Sequence, residues 1–252
     1  MENAFYSIEI AQQLGTNETQ EDAVGLELKD TSALLILCDG MGGMQCGELA
    51  AKTAVNAIKQ LSKQMDWEHN PQEFLRKAIR VADEEVYLLT DEKGERVRGG
   101  CTLLVTIAAG RNLYFANVGD SRTYIYKNTE LNQMTRDHNY GEVLKRRFRQ
   151  GKISEQELMA EWSRAAALTS YIGVGEIREE YISSQAFQMD RDSIVLMQSD
   201  GLYKLVSEEE MKSILEGSTR NLERTMTRLL EQAYRNKKNY QDNTSVILLR
   251  LK

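Results

Sequence analysis

The sequence predicts an α+β fold in which two antiparallel sheets pack face to face and helix pairs cover their outer sides. Three observations carry this expectation. Short runs rich in Ile, Val and Leu recur through the middle and end of the chain, grouped as meanders rather than alternating singly with helices. Long segments with apolar residues at three- and four-residue spacing stand between those groups. The 252 residues include 41% hydrophobic ones, enough to build a sizeable core. Only one proline, Pro71, occurs, and no Ser-, Gly- or Pro-rich stretch marks a linker, so residues 1–252 are expected to form one domain.

The elements follow in order. Residues 33–38 (ALLILC) are continuously apolar, as in a strand buried on both faces. Residues 48–65 place Ala51, Ala54, Val55, Ile58 and Leu61 on one helical stripe, and residues 72–90 do the same with Phe74, Ile79, Val86 and Leu89. Residues 101–109 run through Gly110-Arg111-Asn112 into 113–118, which reads as a hairpin. Residues 122–127 and 131–135 extend this meander, broken at Asn128-Thr129-Glu130. Strands are expected again at 181–187, 193–198 and 245–251, with a helical pair at 207–215 and 221–234 before the last. Between Arg136 and Tyr171 only two short helices, 142–150 and 154–162, are discernible, and a strandless segment of this kind, about 139–170, often forms a functional flap.

Composition narrows the function classes. A formal net charge of −6 argues against a nucleic-acid partner. The single basic cluster, Lys145-Arg146-Arg147-Phe148-Arg149, reads either as a solvated face or as a receiver of an acidic or phosphorylated partner. Cys38, Cys46 and Cys101 form no metal-type pairing, and their odd number suits reduced thiols. No apolar run approaches the ~20 residues of a membrane helix, and the N-terminus lacks a secretory pattern. A cytoplasmic protein with no membrane partner is expected. No coiled-coil repeat is present, so a monomer is the simplest assembly.

Carboxylates collect at the ends of the predicted strands. Residues 33–38 run into Asp39-Gly40-Met41-Gly42-Gly43, residues 193–198 into Ser199-Asp200-Gly201, and Asp242-Asn243 opens the final strand. Glu21-Asp22 and Asp120, in Gly119-Asp120-Ser121-Arg122, complete the set. Each one alone reads equally as turn chemistry, and Asp120 as a hairpin turn. Together, with only His69 and His138 as histidines, they suit hard cations such as Mg²⁺ or Mn²⁺ and disfavour a histidine-rich zinc centre.

These motifs, with Thr135-Arg136-Asp137-His138, resemble in order and spacing the metal-dependent protein phosphatases of type 2C in their compact bacterial form. The resemblance spans the chain from about Phe5 to the C-terminus. It implies a β-sandwich flanked by helix pairs and a site for two divalent cations, Mn²⁺ or Mg²⁺, whose bound water attacks phosphoserine or phosphothreonine on proteins. Asp39 matches the bridging carboxylate and Gly40 a carbonyl ligand. Asp200 and Asp242 match further ligands, and Glu21 and Asp22 match acidic residues that hold metal-bound waters. The segment around Gly151-Lys152-Ile153-Ser154 matches the family's flap. The expected partners are phosphorylated proteins, substrates of a Ser/Thr kinase.

Two positions depart from the family pattern. Asn17 stands where an arginine usually grips the substrate phosphate, a role that Arg136 or residues 145–149 could take over. Lys204 stands where an acidic residue usually helps Asp120 to hold a third metal, and its ammonium either pairs with Asp120 instead or points to solvent with the third site absent. Met41 occupies a position where some members carry a histidine, which leaves a metal-bound water as the acid, and His138 reads as a structural hydrogen-bonding residue. The alternative function is that of a pseudophosphatase, a metal-binding interaction module with little turnover.

Overall fold

The computed structural model describes residues 1–41, 46–91, 93–217 and 221–252. Its strands are β1 (Tyr6–Gln13), β2 (Ala23–Lys29), β3 (Ser32–Cys38), β4 (Gly40–Met41), β5 (Gly100–Cys101), β6 (Leu103–Ala109), β7 (Asn112–Val118), β8 (Arg122–Lys127), β9 (Glu130–Gln133), β10 (Tyr181–Ile182), β11 (Phe187–Gln188), β12 (Ile194–Gln198) and β13 (Thr244–Leu251). Its helices are α1 (Cys46–Gln64), α2 (Pro71–Tyr87), α3 (Tyr140–Arg149), α4 (Glu155–Glu161), α5 (Asp200–Tyr203), α6 (Glu208–Glu216) and α7 (Leu222–Arg235).

One sheet has the order β1-β13-β12-β8-β9 and the other β10-β7-β6-β3-β2, with β11 also on β7 and every pairing antiparallel. The pleat explains the layers, because successive side chains point to opposite faces. In β3, Leu34 and Ile36 join Ala54, Ile58, Phe74 and Ile79 of α1 and α2. Its alternate residues Leu35 and Leu37 meet Ile247, Leu249 and Val195 of the facing sheet. In β12 and β13, Leu196 and Leu248 turn outward onto Met211 of α6 and Leu229 of α7. The result is the expected α-β-β-α stack.

β4, β5 and α5 have no separate counterpart in the sequence reading, and three further details differ from it. β1 and β2 gave no clear signal because both are edge strands of mixed composition, with alternating rather than continuous burial. β7 and β8 do not continue one meander: Gly119-Asp120-Ser121 carries the chain from one sheet to the other. The expected strand at 181–187 is two short pieces, both on β7, separated around Ser183, whose hydroxyl accepts from Phe115 N at 3.0 Å.

This topology gathers one end of the sandwich. Pairings Gln13↔Thr244, Arg122↔Gln198 and Gln198↔Val246 bring the end of β1, the start of β8, the end of β12 and the start of β13 together. Ala23↔Cys38 and Leu103↔Val118 do the same in the other sheet. The segments leaving that end carry Asn17, Glu21, Asp22, Asp39, Asp120, Asp200 and Asp242.

Candidate metal centre

Asp39 leaves β3 with its backbone pinned on both sides. Its N–H donates to Thr102 Oγ1 at 3.0 Å, and its carbonyl accepts from Thr102 N at 2.8 Å. Thr102 Oγ1 in turn lies 2.7 Å from Ser121 Oγ, one residue beyond Asp120. Gly40 follows in β4, where a Cβ would stand 2.3 Å from Gly47 O and 2.5 Å from Glu21 O, so only glycine admits this approach. Gly42 and Gly43 of the same motif lie outside the described residues. The sheet crossing at Asp120 is clasped by His138, whose N–H donates to Gly119 O at 3.0 Å and whose Nδ1 accepts from Gly119 N at 3.2 Å. Nδ1 is therefore the unprotonated ring nitrogen in this contact.

Asp200 opens α5, and Ser199 before it donates through Oγ to Asp22 Oδ2 at 2.9 Å. Asn243 joins the N-terminal loop to β13: its Oδ1 accepts from Glu21 N at 2.8 Å and its Nδ2 donates to Leu14 O at 2.5 Å. Thr102, Ser199 and Asn243 thus hold the acidic loops in place. Ser199 and Asn243 stand beside predicted ligands in the sequence, but Thr102 carried no local signal.

The electrostatics are those of crowded like charges. Desolvation, then Asp200, Asp22, Asp242 and Asp120, holds the Asp39 carboxyl well above its ordinary range. Desolvation is also the first cause that pushes Asp22 and Asp120 up to about 6, partly offset at Asp22 by Ser245 and Ser199. Asp200 is raised as well, by burial against the opposing effect of Lys204, and Glu21 by burial, Asp242 and Glu48. Asp22 Oδ1 and Asp200 Oδ1 are buried without a hydrogen-bond partner. Convergent carboxylates with orphaned oxygens and no histidine ligand are the donor set of a hard divalent cation. Among the described residues no group of three or more His, Cys, Asp or Glu side chains stands at the spacing of one ion's ligands. Protein donors account for part of this, because Ser199, Asn17 and Lys204 each take a carboxylate oxygen.

Lys204 corrects one expectation. Its ammonium pairs with Asp200 Oδ2 rather than with Asp120, because one turn of α5 sets the two side chains at i and i+4 on the same face. Asp120 and Asp242 act on it only through space, and together with Asp200 they raise its pKa against desolvation. Asn17 Nδ2 donates to Asp242 Oδ1 at 3.1 Å, so this amide faces the cluster. Arg136 lies on the neighbouring surface, its guanidinium 5.4 Å from the Tyr181 ring centre. The segment 139–168 leaves and returns at one place, closed by the Asn139–Leu168 bridge and by Thr169 N donating to His138 O at 2.9 Å.

The model of the family described as Protein phosphatase 2C matches residues 2–243. The chain is 32% identical over 234 residues, covering 91% of it and 89% of the relative, to the serine/threonine phosphatase stp of Listeria monocytogenes. Its fold matches the serine/threonine phosphatase of S. agalactiae with a TM-score of 0.83 at 22% identity, over 98% of this chain and 100% of the other. A catalytic domain of the serine/threonine protein phosphatase PstP, solved in complex with two manganese ions, matches at 25% identity and a TM-score of 0.77 over 98% of both chains. The chain belongs to the protein phosphatase 2C family.

Proposed function

We propose that this chain hydrolyses phosphoserine and phosphothreonine on proteins, with two divalent cations, Mn²⁺ or Mg²⁺, at the sandwich end. The observation that carries this reading is the convergence of Asp22, Asp39, Asp120, Asp200 and Asp242, where burial first and then the four neighbouring carboxylates hold the Asp39 carboxyl well above its ordinary range. Asp39, Gly40, Asp200 and Asp242 would hold the ions. When bound, the ions supply positive charge against a phosphoryl dianion and acidify water, which is what monoester hydrolysis requires.

The chain's own groups do the rest. Thr102 fixes the Asp39 backbone, and Ser199 orients Asp22 towards the cluster. Glu21 and Asp22 accept protons or hydrogen bonds from water at the inner wall. His138 is committed to Gly119 and acts as a positioning residue. Asn17 offers an uncharged donor where the family has an arginine, which weakens its hold on a phosphate. By the same reading the partners are phosphoproteins made by a Ser/Thr kinase. Among the described residues no helix is long and apolar enough to cross a membrane.

The Lys204–Asp200 pair favours a second reading, a pseudophosphatase, because it gives a ligand carboxylate a protein cation. A panel of phosphothreonine peptides, an aryl phosphate and a phosphodiester, each with and without Mn²⁺, separates the two. Metal-dependent turnover of the monoesters supports catalysis, and inertness towards all of them supports the second reading.

A further inference from the structure

A cleft of about 1050 Å³ adjoins the metal centre, and its chemistry differs from that of the centre. Its floor is Thr135, Asp137 and His138, the last clasping the Gly119 turn beside Asp120. Its walls bring together Arg136 after β9, Arg146 on α3, and Arg178 in the loop before β10. In a chain of net charge −6, these cations come from three separate segments.

The accounting of partners distinguishes them from their neighbours. Arg122 is committed to Asp137 through Nε at 3.1 and 3.2 Å and Nη2 at 2.7 Å. Lys145 and Arg149 share Glu142, at 2.7 and 3.9 Å. Glu208 accepts from Tyr124 at 2.8 Å and Glu179 from Thr169 at 3.2 Å. Among the described residues, no carboxylate stands within ion-pair distance of Arg136, Arg146 or Arg178. Arg136 instead leans over the Tyr181 ring, which holds its guanidinium without neutralising it.

We propose that this cleft is a docking surface for an acidic peptide segment flanking the phosphorylated residue, so that the preferred substrates carry Asp or Glu beside it. Resting on the phosphatase reading, the proposal adds a substrate class to it. Three exposed guanidiniums suit discrete carboxylates by bidentate contact. The net charge of −6 opposes the long polyanionic backbone of a nucleic acid, which favours a short peptide bearing a few carboxylates.

The test uses two phosphothreonine peptides that differ only in flanking acidic or neutral residues. Their kcat/KM and their binding by fluorescence anisotropy are measured for the full chain and for the exposed-site charge-reversal variant R178E. The expected result is about a tenfold preference for the acidic peptide at low salt, as a few partly exposed ion pairs supply. The preference disappears in the variant and in 0.5 M salt, while aryl phosphate turnover and melting temperature stay unchanged. Equal handling of both peptides, or a preference that survives in the variant, overturns the proposal even where aryl phosphate is hydrolysed. If nothing is hydrolysed yet the acidic peptide still binds the wild type and not the variant, the docking surface stands and the catalytic reading falls. A single-stranded oligonucleotide of equal charge that binds more tightly than the acidic peptide also overturns it.

Discussion

Lys204→Met asks whether a protein cation and a metal compete for Asp200. The substitution keeps the length and apolar stem of the side chain but removes the ammonium that touches Asp200 Oδ2. Two unit charges at about 4 Å interact by ~4 kcal/mol at an effective dielectric near 20. The Lys204 side chain is 46% exposed and that of Asp200 15%, so solvent screens the pair towards the ~1 kcal/mol of a surface ion pair. Asp200 also rises further out of its ordinary range when the lysine is lost, because burial and Asp242 are then opposed only by the more distant charge of Arg122, and its protonation caps the loss. The metal-free variant should therefore melt about 2–4 °C lower. A cation that claims Asp200 must displace Lys204, so the variant should bind Mn²⁺ about fivefold more tightly, the equivalent of that ~1 kcal/mol. Calorimetric titration with Mn²⁺ and a melt of the metal-free protein read the two effects separately. Unchanged or weaker Mn²⁺ binding would refute the competition, even if the melting temperature fell.

Thr102→Val removes the oxygen that accepts from Asp39 N and leaves a backbone donor unpaired, so stability should fall by ~1–3 kcal/mol in a denaturant titration. A loss below a few tenths would mean that the clasp on Asp39 is not needed. His138→Gln should leave the pH–rate profile unchanged, since the imidazole is held by Gly119 and burial keeps its pKa below the ordinary value. Loss of an acidic limb would make it a proton donor instead. Asp22 and Asp120, both pushed from 3.8 to about 6, bind protons more readily in the folded than in the unfolded chain. Their stabilising effect is then full below about pH 4 and lost as pH rises through 6, by up to about 3 kcal/mol each. Stability of the metal-free protein that rose across this window would contradict the crowding of the carboxylates.

What the sequence disclosed follows from how local each signal was. β3 could be read because seven successive buried residues leave no polar alternation, and α1 because its alanines and Ile58 repeat at helical spacing. β1 and β2 escaped because an edge strand buries only one face, and Glu9 and Glu27 dilute the run. Asp39, Asp200 and Asp242 were visible as carboxylates at apolar strand ends. Which of them meet depends on strand order, and that is a non-local property. Thr102 was invisible for the same reason, since its contact with Asp39 spans 63 residues. The pairing of Lys204 with Asp200 was within reach of sequence reasoning, as an i,i+4 pair on a helical turn, had α5 been foreseen there.

The most direct test of the central claim is phosphothreonine-peptide hydrolysis as a function of added Mn²⁺, for the wild type, Asp39→Asn and Asp200→Asn, with Mn²⁺ binding measured on the same samples. The account predicts turnover that requires the metal, vanishes in both variants, and falls together with binding while both variants remain folded. Metal-independent hydrolysis, or full activity in either variant, would contradict it.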